Sequence, residues 1–166
     1  MKRLLAVALL TLSLAACSQE GDTGASSSPA AEVKQEKAAS ATEVAESIKA
    51  EVTEVSKVVA ITEDNDPNDK IGRPNGYVDG AVLFDSRAEP LDAELGVDQG
   101  ATIEVWPSEA EATERAEYIQ GLLDESEGLL GSEYHYQSGG MLLRVSGSIK
   151  PTAAKAYEAA FKSATS

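Results

Sequence analysis

The 166-residue chain carries 14 Lys and Arg against 28 Asp and Glu, a formal charge of −14. A surface this acidic repels phosphate backbones and anionic headgroups, which excludes nucleic acid as a target. One cysteine, Cys17, and one histidine, His135, exclude an internal disulfide framework and a His/Cys metal cluster.

The N-terminus begins with Lys2 and Arg3, followed by a nearly unbroken apolar run from Leu4 to Leu14. That run is too short to span a hydrocarbon core of roughly 30 Å, but it has the length and flanks of a secretory signal. It closes on Leu14-Ala15-Ala16-Cys17, which resembles the lipobox of bacterial lipoproteins. The resemblance implies cleavage before Cys17 and covalent diacylglycerol on its thiol. Residues 1–16 are then a signal peptide, and the mature chain is held in the lipid bilayer at the extracytoplasmic face of the cell membrane. In a bacterium with two membranes, Ser18 is compatible with transfer to the outer one. Cys17 has no partner for an internal disulfide, and lipidation explains why an exported chain keeps it. Several buried acyl chains, at about 0.8 kcal/mol per methylene, make such an anchor firm. Cleavage also removes Lys2 and Arg3, so the mature chain is two charges more negative.

Residues 17–40 are rich in Ser, Ala, Gly and charge, with almost nothing bulky to bury, and read as the lipidated cysteine plus a flexible tether. Residues 41–166 suffice for one globular domain with one modest core. Its first helix is expected from about Ser40 or Thr42, because Ser40 and Glu43 have capping-box spacing. Val44, Ile48, Val52, Val55 and Val59 fall on one helical stripe, although Val58–Ile61 could instead form a short strand. A polar loop follows, through Asp64-Asn65-Asp66-Pro67-Asn68-Asp69 and Gly72-Arg73-Pro74-Asn75-Gly76. Tyr77–Asp85 reads as a strand with Val78, Val82 and Phe84 on one face, and residues 86–100 as an acidic loop. Thr102–Trp106 is a second strand with Ile103 and Val105 inward. Ser108 and Glu111 repeat the capping spacing before a helix over 108–124 that buries Ala112, Ala116, Ile119 and Leu123.

Glu133–Tyr136 and Met141–Val145 flank Ser138-Gly139-Gly140 as a β-hairpin. Pro151 then opens a last helix docked by Tyr157, Ala160 and Phe161. The segment Ile103-Glu-Val-Trp-Pro before one helix parallels Leu143-Arg-Val-Ser-Gly before another. The order becomes a helix, then strand-strand-helix twice. The expected fold is therefore α+β, an antiparallel sheet of about four strands with helices packed on one face.

Few residues suggest chemistry. Asp22-Thr23-Gly24 matches the aspartic protease tripeptide but stands in the tether without a second copy, and is read as coincidence. Asp64, Asp66 and Asn68 have the alternate spacing with which oxygen-ligand calcium loops open, which makes calcium a candidate cofactor. Asp69 and Asn75 stand where such a loop needs Gly and Glu, so a turn built on Asx and Pro chemistry is the stronger reading. His135 lies between Tyr134 and Tyr136 and points to the opposite sheet face from both. Without a Gly-x-Ser-x-Gly elbow or further ligands it reads as a surface histidine rather than a catalytic one. Tyr77, Trp106, Tyr134 and Tyr136 are candidates for an exposed aromatic ligand face.

The set Thr62–Asn68, Gly72–Tyr77, Ile103–Trp106, Ser132–Tyr136 and Leu142–Gly147 resembles small uncharacterised lipoproteins of Gram-positive bacteria. That likeness would cover roughly residues 60–161; it implies placement in the envelope and supplies no activity. The expected function is non-enzymatic: a lipid-anchored module that binds an envelope or extracellular protein or ligand. An inhibitor of a secreted hydrolase and a calcium-dependent binding module are the alternatives. The deciding geometry is whether loops 62–77 and 86–100 share one rim of the sheet, since a shared rim makes a binding face.

Overall fold

The computed structural model describes residues 39–88 and 94–166. The expected signal peptide, Cys17 and nearly all of the expected tether lie outside the described residues. In chain order the elements are helix α1 (Ala41–Glu51), strands β1 (Val55–Ala60) and β2 (Asp79–Asp85), a 3-10 turn (Val97–Gln99), strand β3 (Gly100–Val105), helix α2 (Glu109–Glu125), strands β4 (Glu133–Ser138) and β5 (Met141–Ser146), and helix α3 (Pro151–Ala164). The strands form one sheet in the order β1-β2-β3-β5-β4, and every neighbouring pair is antiparallel. The α+β class expected from the sequence is the class observed.

Both capping serines cap their helices, and the first forms the full capping box. Ser40 accepts from the Glu43 amide at 3.2 Å, and the Glu43 carboxylate accepts from the Ser40 amide at 2.7 Å. Ser108 accepts from the Glu111 amide at 3.2 Å. These bonds satisfy donors that a helix start leaves open. The first helix is shorter than its apolar stripe suggested. It stops at Glu51, Val52 caps it in an extended conformation, and Val55 opens an additional strand. Val52, Thr53 and Val55 are β-branched and favour extended backbone, so the valine stripe divides between helix and sheet. The sheet consequently has five strands rather than about four.

The helices cover both faces of the sheet, which corrects the one-face expectation. Odd-numbered residues of the central strands (Ala81, Leu83, Ala101, Ile103, Leu143 and Val145) pack with Val44 and Ile48 of α1 and with Tyr157 and Phe161 of α3. On the other face, Val82 and Leu142 pack with Tyr77, Trp106 and Ala112, and Ala112 belongs to α2. The reason is legible in β5, where consecutive Leu142 and Leu143 are both fully buried. Successive strand residues point to opposite sides, so a strand apolar at both parities needs a cover on each. Val78, read as sharing one strand face with Val82 and Phe84, lies before the start of β2 at Asp79 and is 56 % exposed. Ala112 and Ile119 are buried on α2 as expected, and Ala116 and Leu123 are half-buried. Among the described residues no helix is long and apolar enough to cross a membrane.

Candidate functional site

The space between α2 and the sheet is filled unevenly. Towards the N-terminal end of α2 the filling is apolar, with Trp106, Ala112 and Leu142 in one cluster. Further along, the even-numbered positions of β3 and β5 carry charge instead. Glu104 on β3 is fully buried and receives four donors. Arg115 of α2 grips it with Nε and Nη2 at 3.1 and 3.2 Å, Arg144 of β5 donates Nη1 at 2.8 Å, and Trp106 donates Nε1 at 3.1 Å. Arg144 turns its other nitrogens on Glu133 of β4, Nε at 2.8 Å and Nη2 at 2.7 Å, and His135 lies 2.9 Å from the same carboxylate.

This arrangement follows from sheet register. Arg144 lies directly across from Thr102 on β3 and from His135 on β4, so Glu104 and Glu133 are its diagonal neighbours. Ionised side chains taken out of water must be paired and hydrogen-bonded, and here each carboxylate is met by guanidinium forks. Burial alone would raise the Glu133 carboxyl. The bonds from His135 and Arg144, with the charge of Arg144, outweigh it and hold the group down to about 2.

Beside this floor opens a cavity of about 840 Å³, large enough for a drug-sized ligand. Arg115, Glu133 and Arg144 form part of its base, and Ile119, Leu122, Leu123 and Leu130 form an apolar wall. Tyr118 and Leu130, both on the lining, are 60 % and 63 % exposed, and Leu129 beside them is 88 % exposed. Asn68, Lys70 and Asn75 come from the 62–77 loop, and Val97 and Asp98 from the 86–100 loop. The two long loops leave opposite ends of β2, so they do not share one rim of the sheet; both nevertheless reach the same cavity on the α2 face. No family model, no curated protein and no solved structure matches the chain.

Sequence-based candidates divide between the two faces. Tyr77 is fully buried and meets Trp106 edge-on, with ring centroids 5.9 Å apart. Tyr134 and Tyr136 pack against the α1–α3 core on the opposite side. A single exposed face of Tyr77, Trp106, Tyr134 and Tyr136 is therefore corrected: strand parity separates the pairs, and of the four only Trp106 lines the cavity. His135 does point away from both tyrosines, into the charged cluster.

Asp66 is occupied by its own loop. Its Oδ1 accepts from the Asn68 amide at 2.9 Å and from the Tyr77 hydroxyl, and its Oδ2 from the amides of Lys70 at 2.6 Å and Ile71 at 2.8 Å. Burial would raise this carboxyl, but the bonds from Tyr77, Ile71, Lys70 and Asn68 keep it below its ordinary value. Asp64 is exposed, and Asn68 extends its side chain towards Tyr77 at 3.5 Å. The three calcium candidates thus belong to an Asx-stapled loop, and among the described residues no group of three or more His, Cys, Asp or Glu is placed to hold a metal ion.

The residues that sequence reasoning missed are Glu104, Arg115, Glu133 and Arg144. The available signal was the internal parallel itself, because Glu104 and Arg144 occupy equivalent positions in the two repeated segments and carry opposite charge.

Proposed function

We propose that this domain is a non-enzymatic binding module whose ligand enters the groove between α2 and the sheet, and that lipid on Cys17 carries it at the outer side of the cytoplasmic membrane. The observation that carries the binding reading is the cavity between α2 and the sheet. Two long loops, separated by the length of β2, reach one cavity with an apolar wall and a preorganised polar floor. Open concave sites with apolar lining and a few fixed polar groups are where small ligands bind. Exposed Tyr118, Leu129 and Leu130 extend apolar surface past the mouth, and exposed apolar patches accompany such sites.

The chemistry of the floor favours binding over catalysis. A general acid must give up a proton near working pH, whereas Glu133 is held ionised with both oxygens engaged. Envelope placement is supported by the positive n-region, the apolar run of signal length and the Leu-Ala-Ala-Cys quartet.

The binding reading is tested with the uncharged fluorescent probe 1-N-phenylnaphthylamine. The mature chain should give a saturable fluorescence gain at one site. Leu122→Glu with Leu130→Glu should abolish it while leaving the far-ultraviolet circular dichroism unchanged. A probe response that never saturates, or that survives the double substitution, would count against the groove.

A further inference from the structure

The groove's hydrogen-bonding inventory specifies more than a generic apolar ligand. Arg115 commits Nε and one Nη2 hydrogen to Glu104, which leaves Nη1 wholly uncommitted among the described residues. Arg144 likewise keeps one N–H on each Nη. These donors are already held in place by ion pairs, so a ligand oxygen meets them without ordering a flexible side chain. The same lining carries acceptors. Glu114 and Asp98 make no hydrogen bond or ion pair among the described residues, and the hydroxyls of Ser146 and Ser148 stand 2.9 Å apart on the β5 side.

Charge decides what kind of head these groups receive. Lys70, Arg115 and Arg144 face Asp98, Glu111, Glu114 and Glu133 across the lining, and Glu104 lies beneath. The carboxylates outnumber the cations, so an anionic head enters against the field. A cationic head would be met on the floor by guanidinium donors that cannot accept from it. A hydroxyl group both donates and accepts, and so matches the spare N–H groups and the free carboxylates together. The wall of Ile119, Leu122, Leu123 and Leu130 takes an apolar chain, and Tyr118 adds an aromatic ring to the same lining.

Resting on the reading that this groove is the binding site, we infer that its ligand is an uncharged, hydroxyl-rich amphiphile of the glycoside type. The head lies between Arg115, Arg144 and Glu114, and the chain runs along the leucine wall towards the mouth.

Calorimetry with three compounds sharing one chain tests this: octyl β-glucoside, octanoate and octylammonium, each below its micellar concentration. The protein is the mature chain with Cys17→Ser, so that no attached lipid competes. Octyl glucoside should bind about tenfold more tightly than either charged analogue. Arg115→Lys keeps a cation on Glu104 while removing the spare fork donors, and should weaken glucoside binding about fivefold or more. If that variant loses its fold by circular dichroism, Glu114→Gln at the exposed rim serves instead and should weaken glucoside binding in the same sense. Binding of either charged analogue as tightly as the glucoside overturns the head assignment. Saturable phenylnaphthylamine binding with no response to octyl glucoside refutes the glycoside inference and leaves the groove intact. Failure of the dye and of all three octyl compounds refutes both.

Discussion

Arg144 Nη1 donates to Glu104 Oε1 at 2.8 Å across a diagonal of neighbouring antiparallel strands, while its remaining nitrogens fork onto Glu133. The contact ties β3, β5 and β4 through one guanidinium, and Arg115 adds α2 to the same carboxylate. Glu104 is fully buried, and the side chains of Arg115 and Arg144 are only 9 % and 11 % exposed. Such a cluster is costly to break from one side, because the surviving charges remain out of water. Glu104→Gln preserves shape but removes the charge and turns an amide N–H₂ towards guanidinium donors. The expected loss is about 3–5 kcal/mol of folding stability, as for breaking buried pairs in general. Urea denaturation of the two proteins measures it, and a loss below about 1 kcal/mol would mean the cluster is solvated in solution.

The pH dependence of stability should show Glu133 directly. Its carboxyl is held down to about 2 in the folded chain, against an ordinary value of 4.5. A group depressed by folding contributes stability that is complete above its unfolded value and lost as pH falls towards its folded one. Stability should therefore decline from about pH 4.5 towards pH 2. Asp66 and Asp85 are also held below their ordinary values by hydrogen bonds that outweigh burial, and they steepen the same acid limb. Glu133→Gln should be less stable at pH 7 and show a visibly shallower acid limb. Equal slopes for the two proteins between pH 4.5 and pH 2 would contradict the assignment.

Much of the fold was legible because local signals agreed with tertiary need. Ser40 with Glu43 and Ser108 with Glu111 marked both helix starts, and Ser138-Gly139-Gly140 marked the β4–β5 hairpin. The errors at the site share one cause. Alternation in Thr102–Trp106 assigned Ile103 and Val105 to a core and sent Thr102, Glu104 and Trp106 outward. Periodicity reports that the two faces differ; it does not report that a helix later in the chain covers the polar one. Glu104 and Arg144 therefore looked like solvated strand residues, and the wall and floor of the groove went unseen. The loop rims were anticipated as candidates, since their length and composition are local properties. Their convergence on one cavity depends on sheet order, which the sequence pattern leaves open.

Asp66 offers a separate test on the rim. Its two oxygens receive three backbone amides and the Tyr77 hydroxyl, and the loop that they staple supplies Asn68, Lys70 and Asn75 to the cavity. Asp66→Asn keeps one acceptor oxygen and replaces the other by an amide donor, which leaves two of those donors facing N–H₂. A loss of about 1–3 kcal/mol is expected, since unsatisfied polar groups away from water cost that much. The effect should be local as well. Amide hydrogen exchange at Lys70 and Ile71, or at Asn68 and the loop's other amides, should quicken more than exchange in the β3–β5 ladder. Uniform quickening throughout the domain would instead mean the loop is not an independent staple.

Thr102 provides a prediction of opposite sign. It stands across from Arg144 on β5 and Val82 on β2, is 4 % exposed, and its Oγ1 has no hydrogen-bond partner among the described residues. A hydroxyl buried without a partner costs free energy that a methyl of similar size does not. Thr102→Val exchanges one for the other in a strand where β-branching is already accommodated. The variant should be more stable by about 1 kcal/mol in urea denaturation, with an unchanged m-value. The opposite result, a destabilised Thr102→Val, would show that the hydroxyl is hydrogen-bonded in solution. Its place beside Arg144 then makes an ordered water reaching in from the groove the first partner to look for, and an extended floor of that kind would bring Thr102 within reach of the ligand head.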